Sequence, residues 1–269
     1  MNLKDILVHI DHRPTCISRL EVATRLARQQ QSQLTGIYVM PHPHFVAHQP
    51  DRQSQAEEAR KTFNQAVEEA GVPGDWICVD SLKSGLDVSN AVNIHAHYRD
   101  LLVVSQTDEE NPERTIPNNL PETAVLGSGR PVLVVPYAGR FQHDLSRILL
   151  AWRGGPESAR ALHDAMPVLR KAEQVKVITV QGREGDEAYL SHEADICEHM
   201  SRYQLPVSCE KRIVGDLSVG DMLLNRCAEF GADLLVMGAT CQSSRGWQTL
   251  GETGRHLLKY MTAPVLMSH

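Results

Sequence analysis

The chain has 269 residues, of which 42 % are apolar and 22 % charged, and its formal net charge is −6. This length and composition are typical of two globular domains, each able to bury its own core. The acidic balance, with no run of Lys or Arg, argues against a nucleic-acid-binding protein, which needs a basic face. No apolar stretch approaches the roughly 18 residues of a membrane span, and the N-terminus carries no signal pattern, so we expect a cytoplasmic protein with no membrane partner.

The first half of the chain alternates short apolar runs with amphipathic segments. The runs are nearly continuous in apolar character and rich in β-branched residues, which is typical of parallel strands covered on both faces. They predict strands at 6–10, 34–39, 76–79, 101–105 and 132–135. Apolar residues at helical spacing predict helices between the first four strands, and Gly71 is expected to end the second helix.

The second half has the same order of elements. Strands are predicted at 148–151, 175–180, 207–213, 234–238 and 265–267, and helices at 156–171, 219–230 and 253–261, with a further helical face from 189 to 203. A short linker at 136–143 joins two predicted domains, 1–138 and 144–269.

A repeated sequence element indicates that the two halves are copies of one domain. Asp100-Leu-Leu-Val-Val-Ser105 returns as Asp233-Leu-Leu-Val-Met-Gly238, an offset of 233 − 100 = 133 residues. A period of this length is too long for a solenoid repeat and indicates a duplicated domain. The alternation of strands and helices predicts an α/β fold with two doubly wound parallel sheets of five strands each. Ligands bind such sheets where the winding direction reverses, so the loops after the first and fourth strands of each copy are the candidate sites.

The loop after the fourth strand of the second copy carries a family pattern, formed by Gly238, Cys241, Gly251 and Glu252. It resembles the universal stress protein family, whose nucleotide-binding members carry Gly-x2-Gly-x9-Gly-Ser/Thr at this place. The closing segment 261–269 is also similar to that of tandem members of the family, so the resemblance covers essentially the whole chain.

The resemblance implies a Rossmann-like strand order of 3-2-1-4-5 in each domain. It also implies that the two domains form a pseudo-dimer, with the last strands, 132–135 and 265–267, close to the pseudo-twofold axis. Further homodimerisation of the whole chain is an additional expectation.

The second copy departs from the family pattern at two positions. Glycines let a backbone approach phosphate oxygens closely, and the N–H groups at the start of the next helix bind them. Cys241 stands at the second glycine position and narrows this approach. Glu252 stands at the hydroxyl position, with Thr253 one place late; its carboxylate either only stabilises the helix start or also repels a phosphate. Ser243 and Ser244 lie between these positions and are further candidate ligand-binding residues.

The first copy has lost the phosphate pattern altogether. Its frame positions are Ser105, Asp108, Asn118 and Asn119, with no glycine among them. The loop is acidic and interrupted by prolines, which is unsuited to a triphosphate. We therefore expect no nucleotide in this domain.

In the loop after the first strand, it is the first copy that keeps the family residue and the second that has lost it. Nucleotide-binding family members carry an aspartate here, which by resemblance contacts the base and ribose end of the nucleotide. The first copy keeps it as Asp11, whereas the second has Arg153 followed by Gly154. Arg153 has three interpretations: it receives an anion, it pairs with Glu252 and closes the site, or it is exposed without a partner.

Other chemistries find little support in the sequence. The histidine clusters within 42–48 and 95–97 lack the four-ligand set of a structural zinc site, so no metal is predicted. The six cysteines form no CxxC pair and mostly lie in apolar periodic segments, so we expect buried free thiols. There is no Gly-x-Ser-x-Gly elbow and no Ser/His/Asp order that favours acyl transfer, so no catalytic residue is predicted.

The leading interpretation is a tandem protein of the universal stress type that has departed from nucleotide binding. It would be a non-enzymatic stress-response module that binds a small molecule or regulates a partner, with no resident cofactor. In a second interpretation the second copy still binds ATP or another adenine nucleotide, through Gly238, Ser243, Ser244 and Gly251. A third, a nucleotide-using hydrolase or adenylating enzyme, would need a glycine-rich loop and a metal-holding carboxylate together after the first strand, which neither copy has.

Overall fold

The computed structural model describes residues 2–42, 52–111, 116–141, 143–181, 193–213, 216–244 and 247–269. The chain divides into two compact units, Asn2–Gln142 and His143–His269, which we call domain 1 and domain 2. The division falls in the segment where the sequence placed the linker.

Domain 1 is an α/β unit built on a parallel sheet. Its strands are β1 (Asp5–Ile10), β2 (Gln33–Met40), β3 (Gly74–Asp80), β4 (Leu101–Ser105) and β5 (Val132–Val135). Its described helices are α1 (Thr15–Gln30), α2 (Arg52–Ala70), α3 (Ser81–Ser84), α4 (Val88–Ala96) and α5 (Leu120–Gly127). The strands are ordered β3-β2-β1-β4-β5, and all neighbours are parallel.

Domain 2 repeats this architecture and adds a hairpin. Its parallel strands are β6 (Arg147–Ala151), β7 (Gln174–Gln181), β8 (Val207–Ile213), β9 (Leu234–Gly238) and β12 (Val265–Ser268). The hairpin strands are β10 (Cys241–Ser244) and β11 (Trp247–Leu250), and the described helices are α6 (Pro156–Leu169), α7 (Glu193–Ser201), α8 (Val219–Phe230) and α9 (Glu252–Tyr260). The parallel strands are ordered β8-β7-β6-β9-β12, which is again 3-2-1-4-5. The predicted fold class is therefore confirmed.

The central strands are buried on both faces, as their continuous apolar sequences predicted. Ile6, Leu7 and Val8 of β1 are completely buried, as are Leu149 and Leu150 of β6. Such strands need helices on both sides, which the doubly wound connections supply. Within the described ranges, no helix is both long and apolar enough to cross a membrane.

The aspartate of the repeated element joins the first and fourth strands at their amino ends. In domain 1, Asp100 Oδ2 accepts hydrogen bonds from the backbone N–H groups of Lys4 (2.7 Å) and Asp5 (3.0 Å). In domain 2, Asp233 Oδ2 accepts them from Ser146 (3.2 Å) and Arg147 (2.8 Å). The repeated aspartate therefore links the amino ends of two neighbouring strands in each domain. The candidate site lies at the opposite, carboxyl ends of these strands.

The cysteines correct one prediction. Cys16 and Cys227 are buried and free, but Cys78 is exposed and Cys241 is half-buried. Cys197 on α7 and Cys209 on β8 are joined as a disulfide, with their Cα atoms 6.5 Å apart. The expectation of mostly buried free thiols was wrong because a separation of 12 residues does not reveal that a helix and the following strand bring two cysteines together.

Candidate functional site

The candidate sites lie at the carboxyl ends of the first and fourth strands of each domain. In domain 1 these are the ends of β1 and β4, marked by Asp11 and Ser105. In domain 2 they are the ends of β6 and β9, marked by Arg153 and Gly238. Because β1 pairs with β4 and β6 with β9, the two loops of each domain meet where the chain changes its winding direction.

A buried ion pair occupies this point in domain 1. Asp11 Oδ1 accepts a hydrogen bond from the backbone N–H of Arg13 (2.9 Å), and Asp11 Oδ2 accepts one from the guanidinium of Arg19 (2.9 Å). Arg19 also donates to Ser105 Oγ (2.7 Å), and it is only 1 % exposed. The aspartate that the resemblance assigns to nucleotide binding is thus held by the protein's own arginine.

The electrostatics favour a charged Asp11 beside a neutral His9. Burial acts to raise the pKa of Asp11, but the Arg19 guanidinium and the hydrogen bonds outweigh it, and the pKa is lowered. Burial, assisted by the Arg19 charge, lowers the pKa of His9 to about 4. His9 Nδ1 lies 3.7 Å from Asp11 Oδ2. Because the pKa of His9 is lowered to about 4, Arg19 rather than His9 supplies the compensating positive charge at neutral pH.

The cavities that described residues form beside Asp11 are small. One cavity beside it, walled by Arg19 and Ser105, measures about 10 Å³. Another, walled by His12 and Tyr38, measures about 20 Å³. A single water molecule needs roughly 10–15 Å³ of such space, so both cavities are of the size of a water molecule.

Two further polar side chains of the loop after β4, those of Thr107 and Asp108, are engaged locally. Asp108 Oδ1 accepts hydrogen bonds from the backbone N–H groups of Glu110 (3.1 Å) and Asn111 (3.2 Å). The Thr107 hydroxyl donates to the carbonyl of Asn118. Residues 112–115 of this loop lie outside the described residues.

Domain 2 has an open cavity of about 250 Å³ at the corresponding place. The apolar part of its lining comes from the strand ends and α8 and consists of Ala151, Trp152, Ile178, Val180, Val219, Leu223 and Met237. The rest of the lining lies near the starts of α6 and α9 and consists of Arg153, Ser158, Gly238, Thr240, Thr253 and Gly254. The cavity therefore combines apolar side chains with hydroxyls, a guanidinium and helix starts.

Two differences between the copies explain why one site is filled and the other open. The offset at the first strand is 147 − 5 = 142 residues, which places Ala161 where domain 1 has Arg19. The offset of 133 at the fourth strand places Gly238 where domain 1 has Ser105. Ala161 is completely buried and ends at its Cβ, so the volume that the guanidinium fills in domain 1 has no matching side chain in domain 2.

Glycines bring the start of α6 against the end of β9. A Cβ on Gly238 would lie 2.6 Å from the backbone nitrogen of Ser158, so only glycine allows this approach. Gly154 and Gly155 have φ values of +80° and +84°, in the left-handed region, and lead the chain from Arg153 into the helix. Ser158 Oγ accepts a hydrogen bond from the backbone N–H of Arg153 (3.3 Å), which fixes the loop against the first turn.

The segment after β9, in which the sequence indicated a phosphate-binding loop, forms a β-hairpin. The antiparallel strands β10 and β11 form it, and three predicted site residues, Cys241, Ser243 and Ser244, all lie on β10. Gly251 follows the hairpin, donates its N–H to the carbonyl of Thr240 (2.8 Å) and starts α9 as its N-cap.

The first turn of α9 lies at the cavity wall through Thr253 and Gly254. Its N-cap, Gly251, has no side chain to cap the free N–H groups. Glu252 is exposed at the first helical position, and the ion pairs found among the described side chains do not include one between Glu252 and Arg153. The interpretation that these two residues close the site stays a prediction.

Only part of the histidine clusters lies within the described residues. His44 and His48 lie outside the described residues, and His97 Nε2 is 3.4 Å from the carbonyl oxygen of Gly127. Throughout the described ranges, no three His, Cys, Asp or Glu side chains are grouped so that they could hold a metal ion.

Arg19 is the functional residue that the sequence did not reveal. It lies on α1 among apolar residues, and charged residues of surface helices normally face solvent. The available signal was the second copy, which has alanine at the matching position.

Comparisons with known proteins identify the fold. No protein-family model matches the chain, and a search of curated proteins finds no match. Among solved structures, a universal stress protein from Archaeoglobus fulgidus DSM 4304 matches with a TM-score of 0.74 and 16 % identity, over 98 % of this chain and 97 % of that chain. A functionally unknown protein from Pseudomonas aeruginosa PAO1 matches with a TM-score of 0.66 and 15 % identity, over 99 % of this chain and 92 % of that chain.

A third structure, from Pseudomonas aeruginosa UCBPP-PA14 and provisionally described as a universal stress protein, matches with a TM-score of 0.62 and 16 % identity, over 99 % of this chain and 93 % of that chain. Likeness at such identities establishes the fold. The chain thus has the universal stress protein fold in tandem, as the sequence resemblance predicted.

Proposed function

We propose that the chain is a non-enzymatic ligand-binding protein of the universal stress type in which only domain 2 binds. Its ligand is a small anionic molecule with a ring, no larger than a nucleoside monophosphate. The observation that carries this proposal is the contrast in free volume at matching positions, about 250 Å³ in domain 2 against about 10 and 20 Å³ in domain 1. The role in a stress response rests on the likeness of fold alone.

The polar side of the domain 2 cavity suits an anion. The first turn of α9 has free backbone N–H groups and the positive end of a helix dipole. Arg153 lines the same cavity, and its planar guanidinium can bind a phosphate or carboxylate through two hydrogen bonds.

The apolar part of the lining suits a ring system. It includes Trp152, Val180 and Leu223 together with four further apolar side chains. Small-molecule sites commonly combine such a wall with a few convergent polar groups, and they measure roughly 300–1,000 Å³ for drug-sized ligands. A cavity of about 250 Å³ fits the lower end of that scale, which favours a monophosphate over a triphosphate.

The described lining consists of apolar side chains, hydroxyls, backbone groups and one guanidinium. These groups can bind and orient a ligand. We therefore propose binding without turnover, with ligand occupancy as the signal that the protein transmits.

An adenine nucleotide with a longer phosphate chain is the second candidate, because Gly238 and Gly251 keep two positions of the family frame. The exposed carboxylate of Glu252 at the start of α9 adds negative charge beside the helix N-terminus and disfavours additional phosphates. Mg-ATP should consequently bind more weakly than AMP.

A thermal-shift series with AMP, ribose 5-phosphate, inorganic phosphate and Mg-ATP tests the proposal, since a ligand of the native state raises the midpoint of unfolding. AMP should give the largest shift. Arg153→Ala should weaken AMP binding roughly ten- to a hundredfold, the expected loss for a charged hydrogen bond. Arg160→Ala is the matched control, because Arg160 is an exposed arginine of α6 paired with Asp164 (2.9 Å) and should leave binding unchanged.

A larger shift with Mg-ATP than with AMP would favour the second candidate. If none of the four compounds shifts the midpoint, or if Arg153→Ala and Arg160→Ala behave alike, the proposed site is wrong.

A further inference from the structure

The two domains fasten the helix between their second and third strands by different chemistry. In domain 1, Phe63 of α2 packs against Trp76 of β3, with ring centroids 5.5 Å apart. In domain 2, Cys197 of α7 bonds to Cys209 of β8. One domain thus uses an aromatic pair and the other a sulfur pair for the contact between this helix and the third strand.

Strand register places Trp76 and Cys209 at the same position of their sheets. Trp76 pairs through Gly36 with Val8 of β1. Cys209 pairs through Val177 with Leu150 of β6. Val8 and Leu150 differ by 150 − 8 = 142 residues, the offset of the first strands. The disulfide therefore stands where the other copy has a permanent apolar contact.

Few apolar side chains hold the described part of α7 on the sheet. This part comprises the nine residues Glu193–Ser201. In the described part of the chain, its buried apolar side chains are Ile196 and Met200, whereas α2 buries four. A covalent bond at Cys197 should therefore contribute much of what keeps α7 on the sheet.

We propose that Cys197 and Cys209 form a reversible thiol–disulfide site that responds to peroxides and fastens α7 to β8 when oxidised. The Cα separation of 6.5 Å lies within the range of disulfides. Cys209 is exposed on an edge strand and Cys197 is half-buried beside it, so the first can meet a solvent oxidant and the second can resolve it.

The chemistry balances in two steps. The Cys209 thiolate attacks one oxygen of hydrogen peroxide, the O–O bond breaks, and a sulfenic acid and hydroxide result. The Cys197 thiolate then attacks the sulfenic sulfur, the S–S bond forms and a second hydroxide leaves. The two protons released by the thiols convert both hydroxides to water, so two thiols lose two electrons and one peroxide gains them. A dithiol reductant reverses the change by thiol–disulfide exchange at the exposed sulfur.

Thiol counting and hydrogen exchange on the full chain test this site. The reduced protein should show six thiols, and stoichiometric hydrogen peroxide should remove two of them, with peptide mass spectrometry locating the bond at 197–209. Exchange of the α7 amides should slow by about tenfold on oxidation and return to its starting rate with dithiothreitol.

Two variants complete the test. Cys209→Ser should abolish both changes, and because Cys209 is exposed the substitution should leave the fold intact. Cys78→Ser is the matched control, since Cys78 is an exposed thiol on the edge strand of domain 1, and it should leave both changes as they are. Failure of the 197–209 bond to form under peroxide, or its formation with no change in α7 exchange, would overturn the proposal.

Discussion

Asp11 illustrates how one neighbouring side chain changes what a residue can do. Its position after β1 is that of a ligand-binding aspartate in the family that the chain resembles, yet both its oxygens are engaged by Arg13 and Arg19. Domain 2 has Ala161 and Gly238 where domain 1 has Arg19 and Ser105, and there the volume is open. The difference between a filled and an open site is thus a matter of two side chains.

Removal of Arg19 should leave the buried negative charge of Asp11 without its compensating partner. We expect Arg19→Met to lower the free energy of unfolding of domain 1 by about 3–5 kcal/mol, the cost of leaving one member of a buried ion pair uncompensated. Urea unfolding at pH 7, with hydrogen exchange of the β1 amides to report on domain 1, measures this loss. The double variant Asp11→Asn/Arg19→Met should lose clearly less, and equal losses in the two variants would show that the charge pairing is not what matters.

His9 should make the stability of domain 1 depend on pH. Its pKa is lowered from 6.5 to about 4, mainly by burial, so the folded state binds fewer protons than the unfolded state in this interval. The contribution of neutral His9 is fully present above pH 6.5 and is lost as the pH falls towards 4. At 1.36 kcal/mol per pH unit, the loss between pH 7 and pH 5 is about 2 kcal/mol.

Urea unfolding of wild type and His9→Leu at pH 7 and pH 5 measures the contribution of His9 to the pH dependence of the free energy of unfolding. Leucine has no titratable proton, so the variant should lose about 2 kcal/mol less than the wild type over that interval. Parallel losses in the two proteins would assign the pH dependence to other groups.

At the scale of elements, the sequence predicted the parallel strands because each is a continuous apolar run, and burial on both faces requires such a run. It did not predict β10 and β11, whose residues from Cys241 to Leu250 are mostly polar and read as a loop. The sequence also located the candidate sites, from the predicted ends of the strands and from the repeated element. It could not show the filling of one site or the disulfide, because both depend on which side chains the folded chain brings together.

The strand-starting aspartates are the element-scale feature most open to test. Asp100→Ala should leave the backbone N–H groups of Lys4 and Asp5 without their acceptor and lower the free energy of unfolding by about 2 kcal/mol. Asp75→Ala is the control, because Asp75 is an exposed residue of the edge strand β3. Chemical denaturation of both variants measures the difference, and equal stability would contradict the role assigned to the repeated aspartate.

At the scale of the whole molecule, the two domains share one fold but differ at their candidate sites. Domain 1 holds a closed ion pair at its strand ends, whereas domain 2 keeps a cavity bordered by Arg153 and the start of α9. A chain built in this way should bind one ligand rather than two, which distinguishes it from a protein with two equivalent sites.

Calorimetric titration of the full chain with AMP measures that number directly. We predict one site per chain, with binding strongly weakened by Arg153→Ala and retained in Asp11→Asn. Two sites per chain, or binding that depends on Asp11 and not on Arg153, would contradict the assignment of ligand binding to domain 2 alone.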